Sequence, residues 1–278
     1  CVRCRSTLSD LETEEKEQTD KLYFLDYGSV TIATTRPETI FADVAVAVNP
    51  KDKKLKALIG KTARVPLVNR EIPIIGDAAV EMGFGTGALK VTPGHDVTDY
   101  EIGQRHKLPT LTVIDFDGKM TGGVPEEIRG MKVAAAREKT VEMLGRKLTK
   151  TEELVHSIKT CERCETIIEP LVSRQWFVKM ASLAKPAIEV VQEGKVKIVP
   201  KKYEKMYFNW MKNIRDWPIS RQIWWGHQLP AWYKKDDKNL ENPVVAIEKP
   251  DEDWTQDPDT FDTWFSSGQW PFTTLRVS

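Results

Sequence analysis

Short apolar runs separated by turn residues fill the first half of the chain and predict strands. Residues 44–48 read Val-Ala-Val-Ala-Val, so both faces of this segment are apolar, which is typical of a buried strand. Asn49 and Pro50 follow it and predict its end. Other segments have the composition of strands: 23–25, 30–33, 64–66 and the surroundings of Val91.

Helical patterns lie between these strands. The sequence predicts a short helix over 53–58 and a second helix over 96–107. A longer helix is predicted over 125–145, with an interruption at Gly130 and a stop at Gly145. Strands and helices mixed in this way predict a β-barrel-like α+β domain of about 130 residues.

The pattern changes near residue 170 and becomes helical. All nine tryptophans lie at Trp176 or later. Pro186 suits a first helical turn, and Gly194 suits a helix end. From Tyr203 to Ile214, aromatic and aliphatic residues recur at helical spacing. This stripe predicts an amphipathic helix whose apolar face lies in the core.

The composition is that of an ordinary globular protein, with 40% apolar and 29% charged residues. No apolar run reaches about 18 residues, so the sequence predicts no transmembrane helix, and we expect a cytoplasmic location. The first residue is Cys1 instead of Met, from which we expect the sequence to be a piece of a longer one.

Charges are clustered although the net charge is zero. The acidic run over 12–17 predicts an exposed arm or linker. Residues 195–215 carry six lysines and one arginine. A phosphate backbone could bind there, or the lysines could form an ordinary solvated helix face, and the sequence leaves both readings open.

Four cysteines form two C-x2-C pairs, Cys1 with Cys4 and Cys161 with Cys164. Two such knuckles commonly supply four thiolates to one tetrahedral structural zinc. Their long separation predicts that a domain is inserted between them. Disulfide bonds and four unligated cysteines are the alternatives that the sequence leaves open.

The segment GFGTGALKVTPGHDVTDYE, residues 83–101, concentrates the candidate chemistry. Its first three glycines permit positive φ and a close approach of backbone to a ligand. Lys90 and Thr92 lie two residues apart and share a face in an extended segment. Asp96 and Asp99 are spaced i,i+3, so both carboxylates lie on one side of a helical first turn.

A second polar run, TTRPET at 34–39, ends a predicted strand, and together the two runs predict a pocket for a ligand with a cation and hydroxyls. Both runs resemble the editing (CP1) domain of class I aminoacyl-tRNA synthetases, in the form of the valyl-tRNA synthetase family. The runs SRQIWWGH at 220–227 and DTWFSS at 262–267 resemble the core segments that follow this domain. The resemblance covers essentially the whole chain.

The resemblance implies four segments. The first, 1–20, holds the first zinc knuckle and a linker, and the second, 21–152, is the editing domain. The third, 153–185, holds the second knuckle and a connector. The fourth, 186–278, is a mainly helical segment that returns to the catalytic core.

The resemblance also implies a reaction, the hydrolysis of the aminoacyl ester of mischarged Thr-tRNA(Val). Valine-specific synthetases are known to discriminate against threonine only about 100-fold in their synthetic site, and a second site supplies the remainder. The whole enzyme of this family ligates valine to tRNA(Val) with ATP. The HIGH-like and KMSKS-like signatures are absent from this sequence, so we do not expect it to activate valine by itself.

Roles for individual residues follow from the resemblance. Asp99 is the predicted catalytic position, where the acid holds the α-ammonium of the misacylated amino acid through a charge-assisted hydrogen bond. Lys90, Thr92 and Asp96 are expected to meet the threonine hydroxyl, and Thr39 lies where the family contacts a substrate hydroxyl. The helix dipole favours an acid near a helix start, so a structural role competes for Asp96.

The tRNA end is expected to meet other residues. The resemblance places Arg36 at the terminal adenosine, although pairing with Glu38 is the alternative from sequence alone. Phe84 stacks on a base in one reading and plugs the core in the other. Thr35 completes the predicted substrate-binding set. His95 is discounted as a general base, since a histidine beside a helix N-terminus has depressed basicity.

The sequence contains no G-x-S-x-G elbow or cysteine–histidine pair that predicts a covalent nucleophile. Expected partners are tRNA(Val), its mischarged form and the remainder of the synthetase, with the protein a monomer. A different class of function stays open, a zinc-stabilised module that binds tRNA or protein without catalysis. In that reading, residues 83–100 are a structural loop.

Overall fold

The computed structural model describes residues 1–237 and 240–275 and divides the chain into two compact units. The first comprises Cys1–Arg5 and Thr13–Ser173, and the second comprises Ser6–Glu12 and the described residues of Arg174–Ser278. The predicted division into four segments stays a prediction, and its last segment extends past the described residues. No helix within the described residues has the length and apolarity that a membrane crossing requires.

The first unit contains two sheets and two α-helices. One sheet is antiparallel with the order β2-β1-β7, and the other has the order β4-β5-β3-β6. The strands are β1 Thr13–Asp26, β2 Thr31–Thr34, β3 Ala45–Val48, β4 Thr62–Arg64, β5 Glu71–Gly76, β6 Ala88–Val91 and β7 Leu148–Cys161. The helices are α1 Val97–His106 and α2 Val133–Leu144, with short 3-10 helices at Pro37–Ala42, Lys56–Leu58 and Gly145–Lys147.

The predicted buried strand over 44–48 is confirmed as β3. It pairs in parallel with β5 and antiparallel with β6, and all its residues are buried. A strand with a partner on each edge and covered faces needs apolar side chains on both faces. Val46 and Val48 join Leu25 and Ile32 of the other sheet in one core.

The acidic run over 12–17 was predicted to be an exposed arm or linker; residues 14–17 are exposed, but the run is not a linker. Most of it belongs to β1, which pairs with β7 from Thr13 opposite Cys161 to Leu25 opposite Leu148. Glu14, Glu15 and Glu17 lie where the ribbon formed by β1 and β7 is exposed on both faces, so their side chains stay in water while the backbone is paired. Glu12 precedes β1 and is buried. A high content of acids does not distinguish a linker from a paired strand, because acids are also tolerated in a strand whose side chains are solvated.

The first unit is α+β as predicted, but its sheets do not close into a barrel. Closure requires every edge strand to pair with another strand. Among the described residues, β2 and β7 are the edges of one sheet, and β4 and β6 are the edges of the other. The two sheets share a core, but no described strand of one is paired with a strand of the other.

The predicted helix over 96–107 is confirmed as α1, and the predicted helix over 53–58 is reduced to the 3-10 turn at Lys56–Leu58. The predicted helix over 125–145 is only half correct, since α2 begins at Val133. Gly130 adopts φ 75° and donates its N–H to the carbonyl of Met120, which breaks the helix there. The stop at Gly145 is confirmed.

The second unit is less helical than predicted. Its helices are α3 Met180–Gln192, α4 Glu204–Lys212, α5 Thr263–Gly268 and α6 Trp270–Thr274, with 3-10 turns at Asp10–Glu12 and Lys201–Tyr203. Its strands are β8 Phe177–Val178, β9 Trp217–Pro218, β10 Ser220–Arg221, β11 Ala231–Lys234, β12 Val244–Val245, β13 Trp254–Gln256 and β14 Thr260–Phe261. These strands form small antiparallel sheets. The sequence did not predict them, because they lie in short runs rich in Trp and Pro.

The apolar stripe from Tyr203 to Ile214 forms the predicted helix α4, but it is not core. No residue of α4 is buried, and Met206 and Trp210 are more than half exposed. Periodicity fixes which residues share a face of a helix, whereas burial depends on what packs against that face. Tyr207 donates its hydroxyl proton to the carbonyl of Ala187 in α3, which secures one side of α4.

Candidate functional site

A pocket of about 460 Å³ lies in the first unit. Its walls come from the polar run at the end of β2, the glycine-rich loop, β6 and the start of α1. Leu22, Leu154 and His156 of the β1–β7 ribbon complete it. The predicted substrate-binding residues all line this pocket: Thr35, Arg36, Thr39, Phe84, Lys90, Thr92, Asp96 and Asp99.

The loop before β6 takes its path because of its glycines. Gly83, Gly85 and Gly87 all have positive φ, which other residues adopt with strain. A β-carbon on Gly85 would lie 2.7 Å from the β-carbon of Ala33. The predicted backbone freedom is thus confirmed, and this close approach brings the loop against β2.

Lys90 lies on β6 with its side chain inside the first unit, only 6% exposed. Its Nζ bonds to Oγ1 of Thr39 at 2.8 Å, Oγ1 of Thr92 at 2.5 Å and Oδ1 of Asp43 at 3.2 Å. An ammonium group has three protons to donate. Every one of them is therefore directed at a protein oxygen.

Asp43 is the counter-ion of Lys90 and is fully buried. Its Oδ1 also accepts from the Thr92 hydroxyl at 2.6 Å, and its Oδ2 accepts from the Tyr27 hydroxyl at 2.6 Å. Burial raises the pKa of Asp43, while Lys90 and the two hydroxyls oppose the rise because they stabilise the carboxylate. Asp43 and Tyr27 were not predicted to belong to the site.

Asp99 lies in the first turn of α1 and is 4% exposed. Its Oδ2 accepts from the backbone N–H of Thr92 at 2.8 Å. Burial raises the pKa of Asp99 to about 7, and the Lys90 cation opposes that rise. The carboxyl is thus poised to ionise when a cation binds beside it.

Asp96 differs from Asp99 although both line the pocket. It is exposed and caps α1, with its Oδ1 accepting from the backbone N–H of Asp99 at 3.0 Å. The structural reading of Asp96 as a helix cap is therefore correct. The cap holds the first turn in place and so fixes the backbone from which Asp99 projects.

Arg36 is held by an ionic network at the pocket wall. Its guanidinium contacts Glu38 at 3.4 Å, bonds to Glu169 and donates to the carbonyl of His95 at 2.9 Å. Arg137 of α2 binds the other side of the fully buried Glu38 at 2.9 Å. Glu169 was missed by the sequence analysis because it comes from a segment far along the chain with no recognisable pattern.

His95 does not have the geometry of a general base. Its Nε2 accepts the backbone N–H of Val113 at 2.8 Å, so the lone pair that would take a proton is already used. Burial, and then the Arg36 and Lys90 cations, lower the pKa of His95 to about 4. The imidazole stays neutral and joins the pocket wall to the loop after α1.

Phe84 is 50% exposed at the pocket, so the reading in which it plugs the core is excluded. His156 also lines the pocket, and its Nε2 lies 2.9 Å from Oδ2 of Asp20. The sequence gave no indication of His156, because the ribbon that carries it was not predicted.

The four cysteine thiols lie together in the first unit. Sγ of Cys1 is 3.5 Å from that of Cys164, Sγ of Cys4 is 4.0 Å from that of Cys161, and all four lie within 4.8 Å of one another. These separations exceed the disulfide bond of about 2.05 Å, so the disulfide alternative is excluded. A tetrahedral zinc with bonds of about 2.3 Å separates its sulfurs by about 3.8 Å. The thiols are therefore close enough to bind one metal ion.

A family model described as tRNA synthetases class I (I, L, M and V) matches residues 1–248. The chain is 49% identical to the valine–tRNA ligase of Carboxydothermus hydrogenoformans over 99% of this chain and 33% of that protein. Identity is 48% to the Clostridium tetani valine–tRNA ligase, over 99% of this chain and 32% of that protein. Identity is 46% to the Thermus thermophilus valine–tRNA ligase, over 99% of this chain and 34% of that protein.

The chain spans about a third of the length of the curated relatives it matches. The alignment nevertheless includes both units, because it extends over nearly the whole chain. From the family-model match, the chain belongs to the class I tRNA synthetases, and the relatives named above are valine–tRNA ligases.

Proposed function

We propose that this chain carries out post-transfer editing, the hydrolysis of the aminoacyl ester of mischarged Thr-tRNA(Val). The observation that carries the proposal is the environment of Asp99. Asp99 lines the pocket, one of its oxygens accepts from the Thr92 N–H, and the other has no hydrogen-bond partner among the described residues. A buried carboxylate with a free oxygen suits an α-ammonium, through a charge-assisted hydrogen bond.

A second group of pocket residues suits the side chain of threonine. Thr39, Lys90 and Thr92 cluster there with their polar atoms bonded to one another. A threonine hydroxyl adds one more hydrogen bond to this cluster, whereas the methyl group of valine leaves a polar oxygen without a partner. The pocket thus supports discrimination in the direction opposite to that of an apolar synthetic site.

The reaction needs no protein nucleophile. Water attacks the ester carbonyl carbon, the bond between that carbon and the ribose oxygen breaks, and the ribose oxygen takes a proton as it leaves. Threonine and free tRNA are the products. His95 does not accept the proton of the water, because its Nε2 already accepts from Val113. Positioning of the ester and the water, helped by a free ribose hydroxyl, is the contribution that we assign to the site.

The terminal nucleotide of the tRNA binds, in this proposal, where Phe84 and Arg36 meet the pocket. The half-exposed ring of Phe84 is free to stack on a base, and such stacking is tolerant of base identity. Arg36 is restrained by Glu38 and Glu169 and presents a fixed cation to the ribose and phosphate.

A structural zinc is proposed at Cys1, Cys4, Cys161 and Cys164. The thiol separations fit the edge lengths of a zinc tetrahedron, and thiolates are preferred zinc ligands. Bound there, zinc would fix the start of the chain to the end of β7. No step of the hydrolysis involves it.

The longer enzyme to which we assign this chain would charge tRNA(Val) with valine, using ATP, in the cytoplasm. We further propose that it acts as a monomer with tRNA(Val) as its macromolecular partner. The proposed ligation of valine to tRNA(Val) rests on the names of the valine–tRNA ligase relatives.

The decisive experiment measures deacylation of Thr-tRNA(Val) and Val-tRNA(Val) by the full-length natural protein. Editing predicts rapid hydrolysis of the threonyl ester alone, its loss in Asp99→Asn and its retention in Glu101→Gln. Glu101 is an exposed acid on the same helix and is therefore a matched control. Binding of tRNA(Val) without faster deacylation of either ester would instead establish the non-catalytic binding module.

A further inference from the structure

Thr39, Lys90 and Thr92 form the part of the pocket that is proposed to bind the ligand side chain. The positions of their protons follow from the hydrogen-bonding capacities of these groups and their partners. An ammonium only donates, whereas a carboxylate and a carbonyl only accept. Lys90 must therefore donate to Thr39, Thr92 and Asp43 alike. No proton of Lys90 is left for a ligand.

The two hydroxyls are oriented by the same reasoning. The Thr92 hydroxyl lies between Lys90, which only donates, and Asp43, which only accepts, so its proton points to Asp43. The Thr39 hydroxyl accepts a hydrogen bond from Lys90 and donates its own proton to the carbonyl of Arg36 at 2.9 Å. Each hydroxyl thus has its proton committed inside the protein and keeps one lone pair.

Asp43 is the group that sets this direction. It is the counter-ion of Lys90 and the acceptor of the Thr92 proton, and Tyr27 fixes its second oxygen from the far side. The residue is fully buried and does not line the pocket itself. A change at Asp43 therefore reaches a ligand only through Lys90 and Thr92.

We propose that Asp43 is a specificity-determining positioning residue, which orients Lys90 and Thr92 so that the cluster of Thr39, Lys90 and Thr92 offers only hydrogen-bond acceptors to the ligand side chain. The pocket then selects a hydroxyl as a proton donor, and a side-chain oxygen without a proton is rejected. This inference rests on the proposed editing function and specifies what that function recognises. It also assigns Lys90 to holding the acceptors, not to contacting the substrate hydroxyl.

The first test uses ligand chemistry with the full-length natural protein. tRNA(Val) is acylated chemically with threonine, valine, O-methylthreonine or 2-amino-3-fluorobutyrate, and enzymatic hydrolysis is measured above the uncatalysed rate. The ether is an acceptor without a proton, and fluorine replaces the hydroxyl with little change in size. Threonine should be hydrolysed about 10- to 100-fold faster than each of the three others, as expected when a buried polar group loses its partner.

The second test uses Asp43→Asn, with Asp26→Asn as the matched control. Asp26 is a carboxylate at the end of β1, outside the pocket, that binds Lys147. Asp43→Asn should reduce the preference for threonine over the fluoro and methoxy analogues by about 10-fold or more. Asp26→Asn should keep that preference. A purely structural role for Asp43 would lower all the rates together and leave the ratio unchanged.

The outcomes distinguish the editing function from the proposed polarity of the pocket. Absence of threonyl ester hydrolysis in the natural protein would overturn the editing function itself. Rapid hydrolysis of both threonine and O-methylthreonine esters would preserve editing and overturn the acceptor-only pocket. If the Asp43 variant does not fold, the four esters with the natural protein still decide the polarity of the pocket.

Discussion

At the scale of single residues, Asp99 connects stability with binding. Its folded-state pKa is raised from 3.8 to about 7, mainly by burial, so the folded protein holds this proton more tightly than the unfolded chain. The stability that the protonated group contributes is complete below about pH 4 and is lost as the pH rises through 7. A buried charge is then present in the empty pocket.

The first prediction follows from the direction of the pKa shift of Asp99. Asp99→Asn keeps an oxygen for the Thr92 N–H but carries no charge. The melting temperature of Asp99→Asn should exceed that of the parent by an amount that grows from pH 4.5 to 7 and then levels off. Thermal melts of both proteins across this range test it. A difference that does not change with pH would contradict the raised pKa.

Sequence patterns identified the residues of the pocket surface better than the residues behind it. The polar runs at 34–39 and 83–101 contain every predicted substrate-binding position, and all of these line one pocket. Asp43 and Glu169 were missed because their roles depend on distant partners. The only local signal for Asp43 is an acid between Ala42 and Val44, directly before a buried strand.

At the scale of elements, the β1–β7 ribbon joins the thiol cluster to the pocket. Cys161 ends β7 opposite Thr13, and farther along the same ribbon Leu22 and Leu154 form part of the pocket wall. Fixing the thiol end therefore restrains the ribbon from its far end, while the pocket end is held by the core through Leu22 and Leu25.

The second prediction concerns metal binding by this ribbon. The full-length natural protein should contain about one zinc per chain, and Cys4→Ser should lose it. Arg3→Ser, at an exposed position in the same knuckle, should retain it. Hydrogen exchange in Cys4→Ser should accelerate at Thr13 and Cys161 and stay slow at Leu25. Zinc-free parent protein with four reactive thiols would contradict the site.

The elements also show where sequence periodicity stops being informative. Val44–Val48 was recognised because both of its faces are apolar, and a two-sided apolar strand has few alternatives. The ribbon and α4 were misjudged for a common reason. Whether the side chains of a strand or of a helical stripe are buried depends on which other elements cover them. The local sequence pattern does not contain that information.

At the scale of the whole molecule, each unit has its own buried ionic group. In the second unit, Arg221 is 1% exposed and binds Glu12 at 2.7 Å together with Asp262. Asp262 also caps α5 and accepts from the indole of Trp217 at 3.0 Å. One cation thereby bridges two buried carboxylates, and it links the short segment Ser6–Glu12 to the sheets of that unit.

The third prediction uses this network. Arg221→Ala leaves Glu12 and Asp262 buried without their cation and should lower the free energy of unfolding of the second unit by about 3–5 kcal/mol. Lys249→Ala is the control, since its pair with Glu252 is exposed and should contribute about 0–1 kcal/mol. Denaturant unfolding monitored by the tryptophans, all of which lie in this unit, measures both. Equal effects of the two substitutions would contradict the assigned role.

The central claim is that Asp99 holds the α-ammonium of a threonyl ester during hydrolysis. The most direct measurement compares single-turnover hydrolysis of Thr-tRNA(Val) and N-acetyl-Thr-tRNA(Val) by the full-length parent and by Asp99→Asn. Removing either the ammonium or the carboxylate should slow hydrolysis on the order of 100-fold, because the ester is no longer positioned. Removing both should add little to either single loss, since both changes delete the same contact. Near-parent hydrolysis of Thr-tRNA(Val) by Asp99→Asn, or two losses that multiply, would contradict the claim.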